Sequence, residues 1–134
     1  MTIWILNLEK LKYLNLVVYI KSNGEYFIVE YRKKEGMYDS NTPGYDEGLL
    51  VYRINTQVGD GNADGPPDEI YIYRPNGTNE SNGNLGIAIF NEETGRDKIN
   101  DQTNPTPFLT DGSEGGLYLK DIGNPNETIS FRYQ

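Results

Sequence analysis

One short loop concentrates oxygen atoms that could bind a metal ion. It reads Asp60-x-Asn62-x-Asp64-Gly65 and is followed by Asp68, so polar side chains recur at alternate positions. Oxygens at positions 1, 3 and 5 of such a loop can converge on one calcium ion. Glycine at position 6 permits a sharp turn, and position 9 often supplies a direct or water-mediated ligand. We therefore predict that Asp60, Asn62, Asp64 and Asp68 are metal ligands and that the metal is calcium.

The second half of this loop departs from the EF-hand pattern. Position 12 is Tyr71 rather than a bidentate Glu, and Pro66-Pro67 stiffens the chain before it. The flanking segments read as strands rather than helices. A hairpin connection rich in Gly, Asp and Asn that binds no ion is therefore the alternative, and both interpretations stay open.

The chain lacks two residue types on which much enzyme chemistry depends: it has no His and no Cys in 134 residues. Imidazole and thiolate are the usual zinc ligands and His is the commonest general base, so an ordinary zinc site or a nucleophile–His pair is excluded. Carboxylates remain, because a glycosidase needs two of them. The spacing of Glu25, Glu30, Asp39, Asp46 and Glu47 singles out no pair. We predict a non-catalytic protein without zinc.

Charge and hydropathy limit the partners. Twenty acidic residues against twelve basic ones give a net charge of −8, which repels nucleic acids and anionic membrane surfaces. No apolar run approaches the roughly 20 residues that span a bilayer, and the first residues lack the pattern of a signal peptide. The 11 tyrosines favour strands, where they pack across the sheet. Exposed tyrosines could also stack on sugars, so carbohydrate is a candidate partner.

The elements that position these residues follow a period of two, which is typical of strands. We predict one β domain over residues 1–134, an all-β fold forming an antiparallel β-sandwich or a strongly bent sheet of six to seven strands with long polar loops. Turn residues at 22–24 and 123–126 predict hairpins, whereas 33–47 and 91–104 read as irregular. The predicted strands are 13–20, 25–32, 48–55, 69–74, 116–122 and 127–133, with 85–90 as a short strand or a helical turn.

The middle of the chain resembles a known family. The run at 25–36, followed by Asp39, Pro43-Gly44 and the run at 48–54, is similar to the segment just after the catalytic domain in immune inhibitor A-like secreted metalloproteases. The closing segments at 116–122 and 128–131 also resemble the end of that region, so the likeness covers residues 12–133. The family's zinc-binding HExxH helix lies upstream of this segment. Arg53 stands where the family often has His, so no catalytic role is carried over.

The resemblance implies a function without catalysis. The chain would be an accessory β module that is either part of a larger secreted protein or encoded alone. Its partner would be an upstream or separate protease catalytic domain. It would then be secreted or located at the cell surface. If the acidic loop binds calcium, the ion would stabilise the module. The alternative function is a stand-alone carbohydrate- or surface-binding β-sandwich. An in-frame upstream HExxH would favour the first prediction, and its absence would favour the second.

Overall fold

Antiparallel strands joined by long irregular segments make up the described chain. The structure is a computed structural model that describes residues 24–34 and 47–134, together with the backbone of 4–6 and 16–20. None of its helices in these ranges is long and apolar enough to cross a membrane. The elements are β1 (Trp4–Leu6), β2 (Leu16–Ile20), β3 (Glu25–Arg32), β4 (Gly48–Asn55), β5 (Ile70–Ile72), a 3-10 helix (Leu85–Ile87), β6 (Leu119–Lys120) and β7 (Arg132–Tyr133).

Five of these strands form one antiparallel sheet in the order β1-β2-β3-β4-β5. Its central pair, β3 and β4, is matched over eight positions, from Glu25 opposite Asn55 to Arg32 opposite Gly48. Alternating burial along β3 explains this register, because a slip of one residue would turn its apolar side chains to the other face. The all-β class, the antiparallel pairing and the bounds of the strands at 25–32 and 48–55 are confirmed.

The main core lies on one face of β3, β4 and β5, where the irregular segment 90–131 covers it. Tyr71, Tyr73 and Phe108 meet edge to face, with ring centroids 5.1–5.4 Å apart. For Tyr31, Tyr71 and Tyr73, the prediction that tyrosines pack within the sheet is therefore confirmed. The buried core residues are Phe27, Val29, Tyr31, Leu49, Val51, Tyr71, Tyr73, Phe90, Ile99, Phe108, Leu117, Leu119 and Ile122.

A smaller apolar cluster contains Leu50, Ala88 and Ile89, and Tyr52 and Ile72 pack against it. It lies on the opposite face of the sheet from the main core, since Leu50 alternates with Leu49 and Val51 along β4. This cluster holds the 3-10 helix against the sheet. The segment predicted as a short strand or a helical turn contains both features: the helix at 85–87 and an isolated bridge from Leu49 to Phe90.

Strand β5 is shorter than the predicted strand 69–74. Arg74 lies beyond its last residue, and its guanidinium folds back to donate to the carbonyl oxygens of Ile72 and Asn82. The chain then turns at Pro75–Gly77, as the sequence predicts, and Gly77 N donates to Arg74 O.

The closing strands are also shorter than predicted, since only two residues of β6 pair with two of β7. Leu119 instead exchanges both backbone hydrogen bonds with Ile99, and Ile122 N donates to Asp97 O. The segment 97–99, predicted to be irregular, thus binds the backbone of the expected closing strand. β1 was not predicted. The turn at 22–23 and most of the polar loop 33–47 lie outside the described residues, and a sandwich of six to seven strands stays a prediction.

Candidate functional site

The carboxylate of Asp60 organises the backbone of the acidic loop. Its Oδ1 accepts a hydrogen bond from Asn62 N at 3.0 Å, and its Oδ2 accepts one from Asp64 N at 3.3 Å. Such contacts from an Asp to the backbone a few residues later are typical of Asx turns. Asn62 has a φ of 69°, a conformation that Asn tolerates better than most residues. The alternating spacing of these polar residues therefore serves the turn itself.

Asn62 covers the free edge of the sheet. Its side-chain Nδ2 donates to Ile70 O at 2.7 Å, and its Oδ1 accepts from Ile70 N at 2.8 Å. β5 is an edge strand, and exposed backbone groups at such an edge invite pairing with another chain. The Asn62 amide therefore takes the place of a neighbouring strand at this position.

The structure divides the four predicted metal ligands between two places. Asp60, Asn62 and Asp64 share the loop, whereas the Asp68 carboxylate lies against Gly65, where it leaves no room for a Cβ atom. A cation at the loop would have to share its oxygens with backbone N–H groups. Within 24–34 and 47–134, no three or more acidic side chains group together as a metal site. Calcium binding by these residues stays a prediction.

Asp68 instead lines a cleft between the end of the acidic loop and the turn that follows β5. The cleft has a volume of about 330 Å³, with Arg53 and Tyr71 as its floor. Hydrogen bonds within this turn hold its shape, since Asn84 N donates to Pro75 O and Thr78 N donates to Ser81 O. The residues that line the cleft are Arg53, Gly65, Pro66, Asp68, Tyr71, Arg74, Thr78, Asn79, Glu80, Ser81 and Asn82.

Arg74 is held rigidly at the cleft. Its Nε and Nη1 donate to Asn82 O and Ile72 O, and the guanidinium lies 4.5 Å from the centroid of the Tyr71 ring. Its Nη2 has no hydrogen-bond partner in the described part of the chain. A planar guanidinium fixed at two nitrogens loses little freedom when the third binds a ligand, so Arg74 is a pre-organised donor.

Asp68 supplies an acceptor to the same cleft. Among the described residues, its carboxylate has neither a hydrogen-bond donor nor an ion-pair partner. Asp68 and Arg74 therefore line one cleft without pairing with each other. The unpaired carboxylate and the fixed guanidinium leave an acceptor and a donor for a third group.

Two polar groups are buried in the floor of the cleft. Arg53 is held by Glu25, with 3.7 Å between Nε and Oε1, and by Phe108 O, which accepts from its Nη1 at 3.3 Å. The Tyr71 hydroxyl is buried without a described partner. Burial raises the pKa of Tyr71 above its ordinary value of 10.0, although Arg74 and Arg53 oppose this shift. Tyr71 therefore stays protonated, and a donor, at neutral pH.

The carboxylates considered for a glycosidase pair have other contacts. Glu25 accepts from Thr110 N at 2.8 Å and faces the core beside Arg53. Glu30 accepts from the Tyr52 hydroxyl at 2.5 Å, and Glu47 accepts from the Lys34 amide at 2.7 Å. Glu25 and Glu30 lie five positions apart on β3, so their side chains leave opposite faces of the sheet. Asp39 and Asp46 lie outside the described residues.

Sequence reasoning did not find Arg74, Asn79 or Glu80 as site residues. Arg74 directly precedes the turn signal at 75–77, whereas Asn79 and Glu80 follow it and line the same cleft as Asp68 only because the chain reverses there. Comparison with models of known families, with curated proteins and with solved structures finds no significant match to this chain. The resemblance to immune inhibitor A-like proteases therefore stays a prediction based on the residues named for it.

Proposed function

We propose that this chain is a non-catalytic binding module and that it binds a neutral, hydroxyl-rich ligand, a saccharide, in the cleft between residues 65–68 and 74–82. The observation that carries the proposal is the arrangement of Asp68 and Arg74, which line one cleft and do not pair. A sugar hydroxyl both donates and accepts hydrogen bonds. Neighbouring hydroxyls can therefore donate to the carboxylate and accept from the guanidinium at the same time.

The charge and size of the cleft support a neutral ligand. Arg53 is paired with Glu25, so the charges left to the lining are one cation, Arg74, and two carboxylates, Asp68 and Glu80, a net charge of about −1 that repels anions. Pockets for small molecules occupy roughly 300–1,000 Å³. At about 330 Å³, this cleft lies at the lower limit, which suits one or two sugar rings.

Calorimetric titration with neutral monosaccharides and disaccharides tests the proposal. Asp68→Asn keeps the shape of the side chain but removes its charge. A hydrogen bond to a charged group contributes about 1.5–3 kcal/mol, so we expect affinity to fall roughly 10- to 100-fold. Asp64→Asn is the matched control, because it removes the same charge from an exposed side chain in the neighbouring loop. Equal affinity in both variants would contradict the proposed site, and release of reducing sugar would contradict a non-catalytic role.

A second proposal is the accessory role in a secreted metalloprotease, with a protease catalytic domain as the partner and a secreted or cell-surface location. Part of the residues that carry the resemblance, 25–32 and 48–54, form β3 and most of β4, the pair that places Arg53 in the lining of the cleft. The likeness thus lies in the part of the fold that positions the site. An in-frame HExxH upstream of the coding sequence is the expected finding, and an unrelated upstream sequence would remove this proposal.

Two finer features belong with these proposals. We propose a β-sandwich of six to seven strands, and the packing of segment 90–131 on one face of β3, β4 and β5 supports it. We also propose that calcium stabilises the acidic loop, since the Asp64 carboxylate has no described partner and is free to bind a cation.

A further inference from the structure

Arg96 is a partly buried cation without an acidic partner. Its Nε donates to Ile89 O at 3.1 Å, and its guanidinium lies 4.2 Å from the centroid of the Phe90 ring. Neither terminal nitrogen has a hydrogen-bond partner among the residues described, and Nη2 is buried. One neutral carbonyl and one aromatic ring therefore provide the whole environment of this charge.

Such an environment is unusual for arginine. Buried charges in proteins are normally paired, because the loss of hydration costs several kcal/mol. Burial lowers the pKa of Arg96 to about 10, and no nearby carboxylate opposes this shift. Among the described residues, no carboxylate pairs with this guanidinium.

Arg96 lines a second cleft, which is separate from the one at Asp68 and Arg74. This cleft has a volume of about 270 Å³. Lys98 adds a second cation to the lining and Asp97 adds one carboxylate, so the lining carries a net charge of about +1 at neutral pH. Its polar wall consists of Gln102, Thr103 and Asn104.

We propose that this second cleft binds a small monoanionic carboxylate, with Arg96 as the main contact. Nη1, the terminal nitrogen of Arg96 that is not buried, can donate a charge-assisted hydrogen bond to one oxygen of a carboxylate. A single negative charge neutralises the lining. A doubly charged phosphate would exceed that charge on a chain whose net charge is −8. The inference does not depend on the saccharide site, because the two clefts share no lining residue.

Nuclear magnetic resonance titration of the isotope-labelled chain with sodium acetate, at constant ionic strength maintained with sodium chloride, tests this site. We expect a saturable shift of the Arg96 Nε–H resonance and of backbone amides in 95–98 and 102–104. Sodium phosphate should produce a weaker response. No saturable shift with acetate would overturn the proposal, and tighter binding of phosphate would overturn the assignment to a monoanion.

Two variants assign the contact. Arg96→Gln should abolish the acetate response. Lys98→Gln removes an exposed charge that the packing around Phe90 does not use, so it should fold normally and weaken acetate binding by about threefold. Arg132→Gln is the control, because Arg132 is exposed and paired with Asp121. An acetate response that survives Arg96→Gln, or that is unaffected by Lys98→Gln, would overturn the proposal.

Discussion

The ion pair beneath the first cleft gives the sharpest prediction about stability. The Arg53 side chain is 1% exposed and that of Glu25 is 11% exposed, with 3.7 Å between Nε and Oε1. At an effective dielectric constant of about 20, this separation corresponds to an attraction of about 4.5 kcal/mol. Glu25→Gln keeps an acceptor for Thr110 but leaves Arg53 charged and buried. We expect the free energy of unfolding to fall by about 3–5 kcal/mol, a large share of the roughly 5–15 kcal/mol typical of a domain.

Urea denaturation followed by circular dichroism measures this change. Asp121→Asn is the matched control, because its pair with Arg132 is largely exposed and should contribute less than about 1 kcal/mol. Combining Glu25→Gln with Arg53→Met should recover much of the loss, since no buried charge is then left unpaired. A loss below about 1 kcal/mol for Glu25→Gln would refute the view that this pair neutralises the floor of the cleft.

Three further predictions concern the acidic loop, the sheet edge and the tyrosines. If calcium binds the loop, a calcium concentration of about one hundred times the dissociation constant should raise the free energy of unfolding by about 2.7 kcal/mol. Asp64→Ala should remove this gain, and Asp111→Ala should not. An unchanged melting temperature in calcium would indicate that the loop binds no metal. Asn62→Gly should cost about 1–2 kcal/mol, measured by urea denaturation, and should promote concentration-dependent association in sedimentation experiments; an unchanged monomer would refute its role at the edge. Burial raises the pKa of Tyr73, so its stabilising effect is complete below pH about 10 and is lost as pH rises towards the folded-state value. The stability of the native chain should therefore fall more steeply above pH 10 than that of Tyr73→Phe. Equal slopes of stability against pH in the two proteins would contradict this prediction. Arg96, whose pKa is lowered to about 10, titrates in the same range but is present in both proteins, so it does not affect the comparison.

Apolar runs bounded by turn residues predict the bounds of the two central strands. Burial alternates along 25–32, whereas 48–51 is buried on both faces and alternation follows only at 52–55. The run at 69–74 alternates equally well, yet β5 ends at Ile72, and the Arg74 side chain binds the carbonyl oxygens of Ile72 and Asn82. The sequence contains no local sign of the contact with Asn82. The same limit applies to the predicted strand 116–122, in which Leu119 and Ile122 bind the backbone of 97–99.

The acidic loop shows why its function is harder to predict than its position. An Asp followed two residues later by Asn can direct its oxygens to a cation or to nearby backbone N–H groups, because both arrangements need the same spacing. In the structure, Asp60 binds the backbone of its own loop and Asn62 binds the edge of β5. Asp68 was predicted as a calcium ligand, and that role stays a prediction. The cleft that it shares with Arg74 and residues 78–82 forms only when the turn at 75–77 brings 78–82 back towards the strand.

Mapping of amide chemical shifts shows whether the cleft between residues 65–68 and 74–82 binds neutral saccharides. The labelled chain would be titrated with a panel of neutral monosaccharides and disaccharides. We predict that at least one produces saturable shifts concentrated at 65–68 and 74–82, and that Asp68→Asn suppresses them while Asp64→Asn does not. Shifts centred instead on the exposed Tyr118 and Tyr133, or no saturable shift with any sugar, would contradict the claim.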